Sequence, residues 1–250
     1  MRRVLVTGAG TRIGQKVCVK LAKEGFHVIV HFNRSATGAQ ETLQQVAETG
    51  GSGEQVQADL SDLQQVSSLL QEIANATGPV QALINNASLF EPDGLDDLNC
   101  EQWDQHFAVN LKAPVFLTQG FAAQLPKGET GHVINLLDQR LSRLNPTFFS
   151  YTLSKAALAT ATITMAQSLA PDIRVNAVAP GPTLRNARQS QADFQHQCEA
   201  SLLQSGSPPS EVIDAVLFLL KSNAITGQIL TVDGGQHLGW QTPDIIGTSE

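Results

Sequence analysis

Tyr151 and Lys155 lie four residues apart in Tyr151-Thr152-Leu153-Ser154-Lys155. On a helix that spacing sets a phenol and an ammonium on neighbouring turns of one face. An ammonium beside a phenol favours the phenolate, lowers the phenol pKa and makes the hydroxyl a better proton donor to an oxygen or nitrogen gaining negative charge. Alone, the pair could equally be an ordinary contact on an amphipathic helix. A second feature lies near the other end of the chain, in Thr7-Gly8-Ala9-Gly10-Thr11-Arg12-Ile13-Gly14. It follows an apolar run and opens a helical pattern. Its glycines can turn the backbone tightly against a diphosphate, while unpaired N–H groups at the helix start attract negative charge.

If that turn holds a dinucleotide, the end of the second apolar run selects which one. An NAD site places Asp or Glu there for the adenosine ribose hydroxyls. This chain has His31-Phe32-Asn33-Arg34-Ser35 instead. Arg34 can offer a charged fork to a 2′-phosphate, and the Ser35 hydroxyl, Asn33 amide and His31 imidazole can add hydrogen bonds. The expected cofactor is therefore NADP(H). The alternative makes Arg34 a solvated residue on the approach to a helix and leaves the missing acid unexplained. Asp59-Leu60 and Asn85-Asn86-Ala87-Ser88 follow the third and fourth runs, at the ends expected to face a ligand. Asp59 can accept from the adenine amino group, or act as a helix cap or turn acid.

These residues need a scaffold that brings strand ends to one edge. β-rich runs at 3–7, 27–32, 55–58, 82–85, 132–136, 174–177 and 229–232 alternate with helical patterns. One such pattern starts with Ile13, Val17 and Leu21, and others cover 39–49, 63–76, 102–124, 150–169 and 210–221. The alternation predicts an α/β chain, a single-domain Rossmann fold over 1–250 built on a doubly wound parallel sheet of about seven strands. Residues 182–209 are the least regular. They form either a surface excursion or a substrate-covering loop and helix. A length of 250 residues with 42% hydrophobic and 16% charged suits one buried core. The net charge of -7 argues against nucleic-acid or anionic-membrane partners across the whole surface, and the apolar runs are too short to span a bilayer. The basic start passes straight into a strand instead of a signal core, so a cytoplasmic location is expected. Cys18, Cys100 and Cys198 form neither a disulfide framework nor a zinc pattern, and His27, His31, His106, His132, His196 and His237 lack metal-ligand spacing. No metal is expected.

Thr7-Gly8 through Gly14, Asn85-Asn86-Ala87, Asn110, Tyr151 with Lys155, Pro180-Gly181 and Asp233-Gly234-Gly235 occur in the order of the short-chain dehydrogenase/reductase family, which the whole chain resembles. The resemblance implies that Tyr151 is the general acid, that Lys155 holds the nicotinamide ribose and tunes Tyr151, and that Asn110 supports a water-linked proton path. It also implies a cofactor site formed by Gly8, Arg12, Ile13, Gly14, Asp59, Leu60, Asn86, Ala87, Ser88, Pro180 and Gly181, and a homotetramer. Two positions depart from the common pattern: Arg12 replaces a glycine, and Asp138 replaces a substrate-orienting serine. With the segment from His31 to Ser35, they look like the pteridine reductase branch and its bacterial dihydromonapterin or dihydrofolate reductase relatives. Phe90 would match the aromatic residue that stacks a pterin against the nicotinamide, with Ser88 near the pterin and a cofactor phosphate. The implied substrate site is Arg12, Ser88, Phe90, Asp138 and Tyr151.

An aspartate there makes chemical sense. It accepts hydrogen bonds when ionised and donates when protonated, so it can exchange protons with a nitrogen-rich heterocycle. It also opposes tyrosinate, which suits proton donation in reduction. Alternatively Asp138 pairs with Arg140, leaving Gln139 or Ser142 to orient the substrate. The expected function is NADPH-dependent reduction of a dihydropterin or related pteridine. The alternatives are a carbonyl reductase and a non-catalytic NADPH-binding protein.

Overall fold

Along the strands, apolar side chains alternate between two buried faces. Val4 and Val6 pack into one core and Leu5 into another; Val28 and Val30 part from Ile29 in the same way, and Ile84 from Leu83. Burial on both faces is what a parallel sheet covered by helices demands. The computed structural model describes residues 2–242 and 245–246. Its strands are β1 (Arg3–Val6), β2 (His27–Phe32), β3 (Ser52–Gln57), β4 (Ala82–Asn85), β5 (Gly131–Leu136), β6 (Ile173–Pro180) and β7 (Ile229–Val232). They form one parallel sheet in the order β3-β2-β1-β4-β5-β6-β7. Helices α1 (Arg12–Lys23), α2 (Ala36–Glu48) and α8 (Pro209–Lys221) cover the face of Val4 and Val6. Helices α3 (Leu63–Thr77), α5 (Ala113–Gln124) and α6 (Phe149–Leu169) cover the face of Leu5. α4 (Cys100–Phe107) leads into α5, and α7 (Gln191–Glu199) lies within the irregular segment. The expected doubly wound Rossmann fold is what the chain adopts. Among the described residues, no helix is long and apolar enough to cross a membrane.

The strand order reverses between β1 and β4, which opens a crevice at their carboxyl ends. Side chains brace that edge. Thr7 Oγ1 accepts from the N–H groups of Asn86 and Ala87, and the Asn86 amide donates to the carbonyls of Thr7 and Gly8. His31 is buried beneath the glycine turn: Nδ1 accepts from the Gly8 N–H at 3.0 Å, so Nε2 carries the proton that reaches the Ala58 carbonyl at 3.1 Å. At the far end of the edge, Asp233 accepts from the N–H groups of Gly235 and His237 and packs against Gly181, where any Cβ would meet it at 2.7 Å.

Several element bounds differ from expectation, three of them with a clear cause. β3 starts at Ser52, earlier than the predicted 55, because pairing with β2 continues down to Ser52 opposite His27. β6 runs on to Pro180 because β7 pairs with it as far as Val232. The helix predicted over 102–124 is interrupted by a π-helical turn at Ala108–Lys112. Pro114 lacks the N–H that would close the ordinary bond to the Asn110 carbonyl, so the ladder loosens there and Asn110 turns inward.

Burial drives the His31 pKa down to about 4, against the bonding to Ala58 and the charge of Asp59. An unfolded chain takes up that proton near pH 6.5, so the stability held by the neutral ring is complete above that pH and is lost as pH falls toward 4. The term is on the order of 3 kcal/mol. Denaturant unfolding at pH 7, 6 and 5 is expected to show a falling midpoint. In His31→Gln, which keeps an acceptor and a donor without a titrating ring, the fall is shallower; parallel profiles would assign the acid sensitivity elsewhere.

Candidate functional site

A cavity of about 1020 Å³ lies along the carboxyl edge of the sheet. Gly8, Arg12, Ile13, Gly14, His31, Asn33, Asp59, Leu60, Asn86, Ala87, Ser88, Phe90, Asp138, Tyr151, Lys155, Pro180 and Gly181 all line it. Residues scattered over the whole sequence are thus brought to one surface. Arg34 and Ser35 are exposed beside Asn33, outside the lining, and Asn110 is fully buried behind the wall.

At the nucleotide end, Gly8 has φ +61°, and a Cβ on Gly14 would meet the Gly8 carbonyl at 2.5 Å and the Asn86 amide at 2.6 Å. Only glycine lets the start of α1 approach the turn this closely. Arg12 itself has φ 55°, a glycine-like conformation at a position where the family pattern has glycine. Its guanidinium donates to the carbonyls of Leu184 and Arg185 at 2.9 Å, joining the turn to the segment that walls the cavity. His31 has both ring nitrogens engaged with the backbone and supports the turn from below. Asp59 accepts from the Ser61 N–H and hydroxyl, which with Asn33 and Arg34 hold its carboxyl below the usual range. It is a turn acid here, while Asp62 caps α3. Asn33, Arg34 and Ser35 remain on the surface at the end of β2, with groups that fit a phosphate monoester.

At the other end of the cavity, the Tyr151 hydroxyl donates to Asp138 Oδ2 at 2.8 Å. Asp138 Oδ1 accepts from the Arg140 N–H, while the Arg140 guanidinium turns to Asn145. Asp138 therefore does not face away into an ion pair. Burial first, then the charge and hydrogen bonding of Asp138, push the Tyr151 phenol well above its ordinary value, against smaller effects of Arg140 and Ser88. The lowering expected from Lys155, whose Nζ lies 5.9 Å from the Tyr151 ring centroid, does not arise; the smaller lowering effects come from Arg140 and Ser88. Lys155 is buried, donates to the Leu136 carbonyl at 2.7 Å, and is brought down to about 8 by desolvation while Asp138 pulls upward. Asn110 clasps the loop after β4: its side chain accepts from the Leu89 N–H and the Ser88 hydroxyl and donates to the Leu89 carbonyl and Ser154 Oγ.

Beside Tyr151 stands an aromatic wall. Phe90 meets Tyr151 edge to face at 4.7 Å and stacks on Phe148 at 4.1 Å with an interplanar angle of 3°. The guanidinium groups of Arg140 and Arg188 lie over these rings, 4.9 and 5.7 Å from the Phe148 and Phe90 centroids respectively. Arg188 also reaches the Glu91 carboxylate and the Phe90 carbonyl, fastening the irregular segment across the cavity. Phe148, Arg140 and Arg188 were not among the expected site residues. Phe148 precedes the Tyr151 helix in a left-handed backbone with φ 56°, a conformation that no local signal in Thr147-Phe148-Phe149 announces.

The sequence pattern of the short chain dehydrogenases matches residues 2–196. FolM alternative dihydrofolate reductase 1 from Brucella suis, solved in complex with NADP, is 46% identical with a TM-score of 0.93, over 98% of each chain. A short chain dehydrogenase from Burkholderia cenocepacia, also in complex with NADP, is 31% identical with a TM-score of 0.86, over 94% of this chain and 97% of that one. The 3-oxoacyl-[acyl-carrier-protein] reductase of Staphylococcus epidermidis is 29% identical over 95% of this chain and 99% of its own. That match spans the glycine turn and the tyrosine and lysine pair, and the chain belongs to the short-chain dehydrogenase family of oxidoreductases.

Proposed function

We propose that this chain is an NADPH-dependent reductase acting on a C=N bond of a dihydropterin or related pteridine. The observation that carries the reading is the Asp138 carboxylate on the hydroxyl of buried Tyr151, beside the flat face of Phe90. The similarity to the Brucella suis alternative dihydrofolate reductase supports it. The NADP in that structure and in the Burkholderia one supports the cofactor. Gly8, Ile13, Gly14, Asn86, Ala87 and Ser88 would form the diphosphate and ribose cradle. Leu60 and Asp59 would border the adenine, and Pro180 and Gly181 the nicotinamide. Arg34, Asn33 and Ser35 would take the 2′-phosphate, with His31 bracing the turn beneath.

NADPH, when bound, supplies the hydride. The chain's own residues handle the proton. Because burial and Asp138 keep Tyr151 a neutral phenol, it serves as an acid toward a nitrogen gaining charge; the proton it gives up is replaced from solvent in the cavity, with Asp138 in hydrogen-bond reach to relay it. Lys155 would orient the ribose, and Phe90 would offer an apolar face to a planar ring. The segment 182–209 would enclose the substrate, held by Arg12 and Arg188. Leu153 and Ile163 of α6 and Phe218 of α8, exposed apolar residues, support assembly as a homotetramer. The 3-oxoacyl reductase relative favours carbonyl reduction as the second reading. The intact pairing of Tyr151, Lys155 and Asp138 speaks against a non-catalytic binding protein.

Three measurements test this. By titration calorimetry NADPH is expected to bind more tightly than NADH, and Arg34→Ala to weaken NADPH alone by roughly 1.5 to 3 kcal/mol, the worth of a charged hydrogen bond; equal affinities in the unmutated chain would reject the 2′-phosphate site. Tyr151→Phe is expected to keep cofactor affinity and to lose ~100-fold to ~10,000-fold in turnover; near-normal turnover would remove Tyr151 as the acid. An NADPH-consumption screen of dihydromonapterin, dihydrofolate, dihydrobiopterin and simple ketones is expected to favour a dihydropterin. Reduction of ketones alone, with a gain in Asp138→Ser, would sink the pteridine reading.

A further inference from the structure

α6 begins without a cap of its own. Phe148 holds the N-cap position, and a phenyl ring has no oxygen to offer the free N–H groups of the first turn. The acceptors come from Asp93, 57 residues from Ser150 in sequence. Its carbonyl accepts from the Phe149 N–H at 3.2 Å, and both carboxylate oxygens accept from the Ser150 N–H at 3.2 Å. The same carboxylate takes the Ser150 hydroxyl. Ser150 Oγ lies 2.6 Å from His106 Nδ1, and His106 Nε2 accepts from the Glu91 N–H at 3.2 Å.

With a carboxylate, one placement of protons satisfies this chain. Asp93 can only accept, so Ser150 donates to it; His106 Nε2 is occupied as an acceptor, so Nδ1 carries the proton and donates to Ser150 Oγ. His106 and Ser150 are fully buried and Asp93 nearly so, where an unmade bond is costly. None of the three lines the cavity.

What they hold is the segment that carries Phe90. Asn110 grips Leu89 through both its N–H and its carbonyl, and His106 grips the Glu91 N–H. Phe90 is the single residue between the two grips. Phe148, stacked on Phe90, immediately precedes the turn that Asp93 caps. The glycine turn that supports a nucleotide hangs instead on Thr7, Asn86 and His31. We propose that Asp93, Ser150 and His106 are positioning residues that set the Phe90 ring against the Tyr151 ring. Through that spacing they govern the fit of planar substrates, a consequence that rests on the pteridine reading above.

The test uses the full chain with NADPH and the variants Ser150→Ala, Ser150→Thr and His106→Gln. Ser150→Ala is expected to raise the KM for dihydrobiopterin about tenfold or more, since a misplacement of about 1 Å beside reacting atoms can cost ~100-fold. NADPH affinity stays within about twofold, because the altered interaction belongs to the substrate side. Ser150→Thr restores the hydroxyl and recovers the KM, and His106→Gln follows Ser150→Ala. A crystal structure of Ser150→Ala with NADP is expected to show the Phe90 ring displaced from Tyr151. That readout needs no turnover, so it decides the positioning role even if the unmutated enzyme reduces no dihydropterin and the pteridine reading fails. Phe90 unmoved with KM unchanged overturns the proposal. So does an equal loss of NADPH affinity and KM in Ser150→Ala and His106→Gln, which marks a general folding role.

Discussion

A carboxylate 2.8 Å from the hydroxyl of a buried phenol is a demanding contact to maintain. Two groups that both carry negative charge when ionised are in contact, one of them a buried phenol, and the result is a phenol pushed far toward its neutral form. The arrangement persists because each partner is fixed from behind. Asp138 is tied by its other oxygen to the Arg140 N–H, at the start of a short helical turn after β5. Tyr151 rides on α6, whose first turn is capped from a distant loop. Lys155 on the next turn is held by the Leu136 carbonyl of the same strand that leads to Asp138. β5 and α6 therefore together carry the phenol, the carboxylate and the ammonium.

Polar ladders between that body and the rest of the sheet keep it in register. Asn85 of β4 donates to Asn135 of β5, Asn135 donates to Thr162 of α6, and the Thr162 hydroxyl donates to the Leu158 carbonyl. Asn85 Oδ1 has no partner among the described residues, but the bonds that these buried side chains do make specify one alignment of strand and helix. A pure apolar core could slide; this one has a fixed setting for the edge where the chemistry sits. The same logic holds at the nucleotide end, where Thr7, Asn86 and His31 shape the glycine turn with directional bonds.

The elements were legible because short unbroken apolar runs such as Val4-Leu5-Val6 alternate with stretches of helical period such as Ile13, Val17 and Leu21. The tyrosine and lysine pair was legible because a four-residue spacing carries its own geometry. Asp138 was legible as a residue and ambiguous as a contact: only the fold shows one oxygen turned to Tyr151 and the other to a backbone N–H. The π-helical turn at Asn110 was hidden, since helical periodicity does not register one extra residue in a turn. The work of His31 was hidden for a different reason. An imidazole at the end of β2 reads as a ligand to phosphate until its two backbone partners, Gly8 and Ala58, are brought against it from β1 and β3. Asp93 gives no local sign at all, because the helix it caps starts more than fifty residues later.

Arg12 shows how the two ends of the cavity are joined. A non-glycine residue at φ 55° costs on the order of 1 to 3 kcal/mol, and glycine there would avoid that cost. The side chain must therefore contribute what glycine cannot. Its two guanidinium bonds to Leu184 and Arg185 are charge-assisted, though exposure reduces their worth. They link the glycine turn to the wall that Arg188 fastens over Phe90. The left-handed backbone at position 12 is thus a feature of the cavity as a whole, and its strain is offset at the segment it holds in place.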